Sequence, residues 1–217
     1  MNNKISVFGS SSARSFKSLF PNTFVFSAST AKGLNNPNSQ SKVNKKICSK
    51  LKSLQKGSNV IFFFGAVDLN FITNYKYNLI DKFNCEKYII KSANHYINFI
   101  KKNTKHLNIF ICEVPISHIT DEKLIKIIKF NEKDIWIESK LTKVILHEIR
   151  NKHILLFNKE LEKLCDINDF KLLKINKYFK NSAGVFKIPS KYIRKDELDH
   201  HLKNNISELY LKSLKDL

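Results

Sequence analysis

Two short stretches bring together side chains able to do chemistry. Ser10, Ser11 and Ser12 stand in "GSSSARSF", directly after the apolar run 5–8, and Asp199, His200 and His201 stand in "KDELDHHL" far along the chain. A serine hydroxyl is a weak nucleophile until a base takes its proton, and an imidazole oriented by a carboxylate is the usual base. The two stretches together therefore hold the parts of an acyl-transfer site, with Ser11 as nucleophile, His201 or His200 as base, and Asp199 or Glu197 as the acid. Each stretch also has a plainer reading. Small hydroxyls end strands and cap helices because they satisfy unpaired backbone N–H groups, and Asp199 followed by two solvated imidazoles would serve as a helix cap. Adjacent Asp and His also ligate metals, yet no other histidine has suitable spacing for a site.

The elements that must position these residues follow from the hydrophobic pattern. Apolar runs predict strands over 4–8, 23–27, 59–65, 107–114 and 170–175. The run "NVIFFFG" is apolar throughout, which suits a strand buried on both faces of a parallel sheet. Helical spacing appears over 14–20, over 42–55 behind a cap at Ser39 or Ser41, through most of 66–103, over 121–130 and 138–165, and finally up to about 214. Alternating strands and helices predict an α/β fold, a single domain over 1–217 with an open, mostly parallel five-stranded sheet. Ligands bind such sheets at the carboxyl ends of the strands. That rule gathers the serines after the first strand, the polar loop 28–41 with Gly33 after the second, Asp68 after the third, and the histidine segment after the fifth.

Those four segments resemble the SGNH/GDSL hydrolase superfamily. "GSSSARSF" is similar to a variant first block reading GDSHARSF, which would make Ser11 the nucleophile, with Ser10 where the superfamily has Asp and Ser12 where His is often found. Gly33 matches the second-block glycine. The third block, G-x-N-D in the superfamily, reads Gly65-Ala66-Val67-Asp68, so a valine replaces the asparagine that donates to the oxyanion. The superfamily's acid precedes its histidine by three positions, which taken literally pairs Glu197 with His200 or Leu198 with His201. The resemblance spans 5–202, with motif content in four short segments only.

It implies a three-layer α/β/α sandwich, flavodoxin-like in architecture, and a serine esterase, acyl hydrolase or acyltransferase acting on an O-acyl ester, for which an acetylated glycan is the analogy. No cofactor is implied. The oxyanion would rest on the backbone N–H groups of Ser11 and Gly33, with Asn35, Asn36, Asn38 or Asn70 standing in for the lost asparagine and Asp68 bracing the first-block turn or simply closing an Asx turn. The altered blocks fit equally a noncatalytic relative that keeps the pocket for binding.

Composition bounds the alternatives. The formal net charge of +19 raises a nucleic-acid-binding reading, but the lysines are spread along the whole chain rather than gathered into a patch. Cys48, Cys85, Cys112 and Cys165 lack zinc-site spacing, and their wide separation favours a reducing compartment. No signal peptide or membrane span is read, so a cytoplasmic location is expected. His95, His106, His118, His147 and His153 are expected to face solvent, and Trp136 and the phenylalanines to fill the core.

Overall fold

The computed structural model describes residues 5–39, 41–131, 144–196 and 198–217. Trp136 and Glu197 lie outside the described residues. The sheet has five strands, β1 (Ile5–Gly9), β2 (Thr23–Val25), β3 (Asn59–Phe63), β4 (Asn108–Cys112) and β5 (Lys171–Leu173), in the order β2-β1-β3-β4-β5. Every pairing is parallel. The run at 59–63 is therefore the central strand, as its unbroken apolar character predicts.

Side chains alternate across this sheet, as the two-residue period of a strand requires. Phe8, Val60, Phe62, Ile109 and Ile111 point to one face, where they pack with α1 (Val43–Lys52), α3 (Cys85–Asn103) and α5 (His147–Asn168). Val7, Ile61, Phe63 and Cys112 point to the other, against Phe16, Phe20, Ile206 and Tyr210. The second layer is built from the turn after β1 and from α6 (Ser207–Lys215). The chain is a three-layer α/β/α sandwich, the predicted class. Two further helices, α2 (Thr73–Leu79) and α4 (Asp121–Asn131), complete the order.

Several local expectations are corrected. The segment after β1 is a 3-10 turn over Ser11–Phe16, starting three residues before the predicted helix. Neither serine caps α1: its N-cap is Lys42 with φ of 48°, and the Ser39 and Ser41 hydroxyls bond each other at 3.0 Å. The third-block segment opens with a π turn over Asp68–Ile72 before α2. Gly9 is required where it stands, because a Cβ there would come within 2.5 Å of the Ala13 Cβ and 2.7 Å of the Phe63 carbonyl. That close approach brings the turn carrying the serines down onto the end of β3. Among the described residues, no helix is long and apolar enough to cross a membrane.

Candidate active site

A cleft opens at the carboxyl end of the sheet, lined by Ser11 and Ser12 after β1, by Asn70 and Phe71 after β3, by residues 114–119 after β4, and by His200 and His201. Its volume is about 50 Å³, room for a few water-sized groups. Phe63, Val114, Ile116, Ile206 and Tyr210 supply the apolar wall.

Ser11 is buried, and its neighbours explain why its backbone is available. The Ser10 N–H donates to the Phe63 carbonyl at 3.0 Å and the Ala13 N–H to the Ser10 carbonyl at 3.0 Å. The N–H groups of Ser11 and Ser12 thus open the 3-10 turn, where no earlier turn can accept from them. The hydroxyl of Ser10 does not cap this turn; it is fully enclosed and without a partner. The plainer reading of the serines as caps is not what the structure shows.

Asp199 is not a helix cap either. Its Oδ1 accepts from the His201 backbone N–H at 2.9 Å and pairs with His201 Nδ1 at 2.6 Å, while Oδ2 faces Arg194 at 3.0 Å. An antiparallel bridge between Ile193 and Leu202 closes the loop that makes these contacts possible. Burial pushes the Asp199 carboxyl up, but the His201 N–H, the His201 ring and Arg194 outweigh it and hold the group below the usual carboxylate range. Burial lowers the His201 pKa, and Asp199 opposes that shift only in part. With Nδ1 committed to Asp199, the His201 Nε2 is enclosed and unpartnered. Ser11 and His201 line the same cleft without a hydrogen bond between them, a gap common in unliganded sites. His200 packs its ring edge-on to Phe71 at 4.9 Å and lies 4.0 Å from the His201 ring; burial pushes it down to about 4. Asp199, His200 and His201 offer ligand atoms within 4.8 Å of one another. The shortest contact inside that group is the acid-imidazole bond itself.

The second and third blocks do other work than expected. The Gly33 N–H is taken by Thr30 Oγ1 at 2.9 Å, and Gly33 does not line the cleft. Asn35 is half-buried, Asn36 and Asn38 are exposed, and none of the three reaches the cleft lining. Asp68 is 1% exposed and accepts from the Ala31 and Lys32 N–H groups at 2.6 and 3.3 Å. It ties the end of β3 to the Gly33 loop, not to the first-block turn. Burial pushes its carboxyl up to about 6 against those two N–H bonds. Of the expected substitutes for the missing asparagine, only Asn70 lines the cleft; its Nδ2 donates to the Ala66 carbonyl at 3.0 Å and its Oδ1 has no partner.

The sequence reading missed the loop after β4. Its backbone is held almost residue by residue by side chains from elsewhere. Asn158 brackets Val114, accepting from its N–H at 2.9 Å and donating to its carbonyl at 2.8 Å. Asn176 accepts from the Ile116 N–H at 2.9 Å and Asn151 from the Ser117 N–H at 2.7 Å. Arg150 is fully buried, pairs with Asp121 at 2.8 Å, and donates to the carbonyls of Ile119 at 2.7 Å and Ile145 at 2.9 Å. His147 bonds the Ser117 carbonyl at 2.8 Å through Nε2, and His153 is buried, so neither they nor the cleft-lining His118 face solvent as expected. The strand-end rule could have found this loop, because it places the end of β4 beside the end of β3.

No family model matches the sequence, and no curated protein matches it. Solved structures do. The chain has the fold of the GDSL-like hydrolases: it is similar to a GDSL-like lipase from Bacteroides thetaiotaomicron at TM-score 0.53 and 10% identity, covering 98% of this chain and 86% of that one. It is also similar to an α/β hydrolase from the metagenome of Lake Arreo, Spain, at TM-score 0.54 and 10% identity, covering 98% and 95%. An extracellular lipase from Streptomyces rimosus matches at TM-score 0.51 and 12% identity over 99% of both chains.

Proposed function

We propose that the protein is a serine ester hydrolase in which Ser11 is the nucleophile, His201 the base and Asp199 the acid. The observation that carries this reading is the bonded Asp199-His201 pair whose free Nε2 shares one small cleft with Ser11. Ser11 Oγ attacks the ester carbonyl as His201 Nε2 takes its proton. Asp199 keeps the Nδ1–H tautomer and stabilises the imidazolium. The oxyanion forms beside the Ser11 N–H, His201 returns the proton to the leaving alkoxide, and water cleaves the acyl-enzyme by the same steps in reverse order.

The small cleft and its apolar wall favour a short acyl group, with an acetylated sugar as the substrate class to try first and transfer to a second alcohol as the competing outcome to hydrolysis. His200 packs against the base and does not itself take the proton. A second reading, a binding protein that has lost the chemistry, is favoured by the occupied Gly33 N–H and by Val67, which has no side-chain donor. Mass spectrometry after fluorophosphonate treatment separates the two. An adduct on Ser11 that is absent from His201→Ala supports the esterase, and no adduct at all overturns it in favour of the second reading.

A further inference from the structure

With the Gly33 N–H occupied and valine at 67, the developing oxyanion lacks both the second-block backbone donor and the third-block side-chain donor that the superfamily resemblance names. We propose that His118, from the loop after β4, supplies that donor through its Nε2–H. The proposal rests on the esterase reading above.

Among the described residues, six buried side-chain atoms have no hydrogen-bond partner, and Asn70 Oδ1, His118 Nε2 and His201 Nε2 belong to residues that line this cleft. Buried polar atoms are ordinarily paired, so such a gathering calls for a missing partner. A bound ester with its transition state would supply one. His201 Nε2 meets the serine proton, and Asn70 Oδ1, an acceptor, has nothing to offer an anion. Of these three unpartnered atoms, His118 Nε2 is what remains.

The backbone on either side of it is fixed in advance. Ser117 before it is held by Asn151 and His147, and Ile119 after it by Arg150 and by the Ser117 hydroxyl, which accepts from the Ile119 N–H at 3.2 Å. A donor held still before the reaction stabilises developing charge better than one that must reorient. The charge state suits the role. Burial, then Lys123, His147 and His201, push the His118 pKa down while Asp199 opposes them, leaving it at about 4 with His200 close by. The ring is therefore neutral at ordinary pH and carries a single N–H. A neutral imidazole can donate to an oxyanion without competing with Asp199 for the His201 proton.

The test compares His118→Leu with His118→Gln on a nitrophenyl acetate, beside fluorophosphonate labelling of Ser11 in the wild type. The expected result is a fall in kcat of about 10²–10³-fold in His118→Leu with KM nearly unchanged, and roughly tenfold recovery in His118→Gln, which keeps a donor. A kcat for His118→Leu within about threefold of wild type, or equal losses in both variants, overturns the proposal. Labelled Ser11 together with an unaffected variant sinks this inference alone, whereas unlabelled Ser11 sinks the esterase reading itself. Should the leucine variant not fold, ¹⁵N-histidine NMR of the wild-type phosphonate adduct decides. A protonated His118 Nε2 in the adduct is expected, and an unprotonated one overturns the assignment.

Discussion

The smallest arrangement with functional consequence is the three-residue loop from Asp199 to His201. Both the backbone N–H and the ring of His201 bind one carboxylate oxygen, so the backbone bond sets the carboxylate in place and the ring bond stops the imidazole from turning. Its folded pKa lies below the ordinary histidine value because burial disfavours the cation more than Asp199 favours it. A base works deprotonated, so the rate is lost as pH falls through that lowered pKa. The acid limb of kcat/KM is therefore expected below about pH 6.5. Asp199→Asn removes the group that raises the pKa, so the limb moves to still lower pH while the maximal rate falls by on the order of 10⁴-fold through loss of the correct tautomer. A pH-rate profile of both proteins checks the direction and the size together. The pairing was half legible in the sequence. The sequence sets Asp199 beside His200 and His201, but which imidazole the carboxylate binds depended on the bridge from Ile193 to Leu202, which no periodicity announces.

At the scale of elements, the loop after β4 is the part most completely built and least readable beforehand. The strands appear where apolar runs place them, to within a few residues at their ends, because burial on both faces of a parallel sheet leaves a continuous hydrophobic signal. The loop leaves no such signal. Its order comes from Asn151, Asn158 and Arg150 on α5 and Asn176 beyond β5, polar residues that in sequence look like helix surface. Arg150 is the clearest case, since it is fully buried and satisfies two carbonyls and a carboxylate. Arg150→Met is expected to strand those groups and lose on the order of 3 kcal/mol, a fall in Tm of roughly 10 °C. Calorimetry reads the loss, and activity below the transition should fall as well, since residues 117–119 lose their clamp. The Gly33 loop was legible by its place after β2, whereas its anchoring by Asp68, through the Ala31 and Lys32 N–H groups, was not.

Across the whole molecule the dominant physical quantity is charge. A net +19 surrounds a cleft whose lining, among the described residues, contains no carboxylate side chain. Clefts in a field of one sign raise the encounter rate of oppositely charged ligands, and salt removes the advantage. The ratio of kcat/KM for an anionic ester to that for a neutral ester of the same acyl group is expected to fall as ionic strength rises from about 0.01 to about 1 M. A ratio flat across that range would mean that the lysines leave the reaction untouched. Composition made the charge legible at once, but not its partner, because charge spread over a surface names no ligand.

The proposed nucleophile Ser11 and its proposed base His201 lie far apart in the sequence and share one cleft only in the folded chain. Synthesis proceeds from the amino terminus, so β1 and its serines emerge before the segment with Asp199 and His201. A nascent chain can therefore pair β1 with β3 while it still lacks any activating imidazole. On the esterase reading proposed above, Ser11 is expected to stay chemically silent until the segment with Asp199 and His201 is in place, with Tyr210 packed against Phe16 and Phe63.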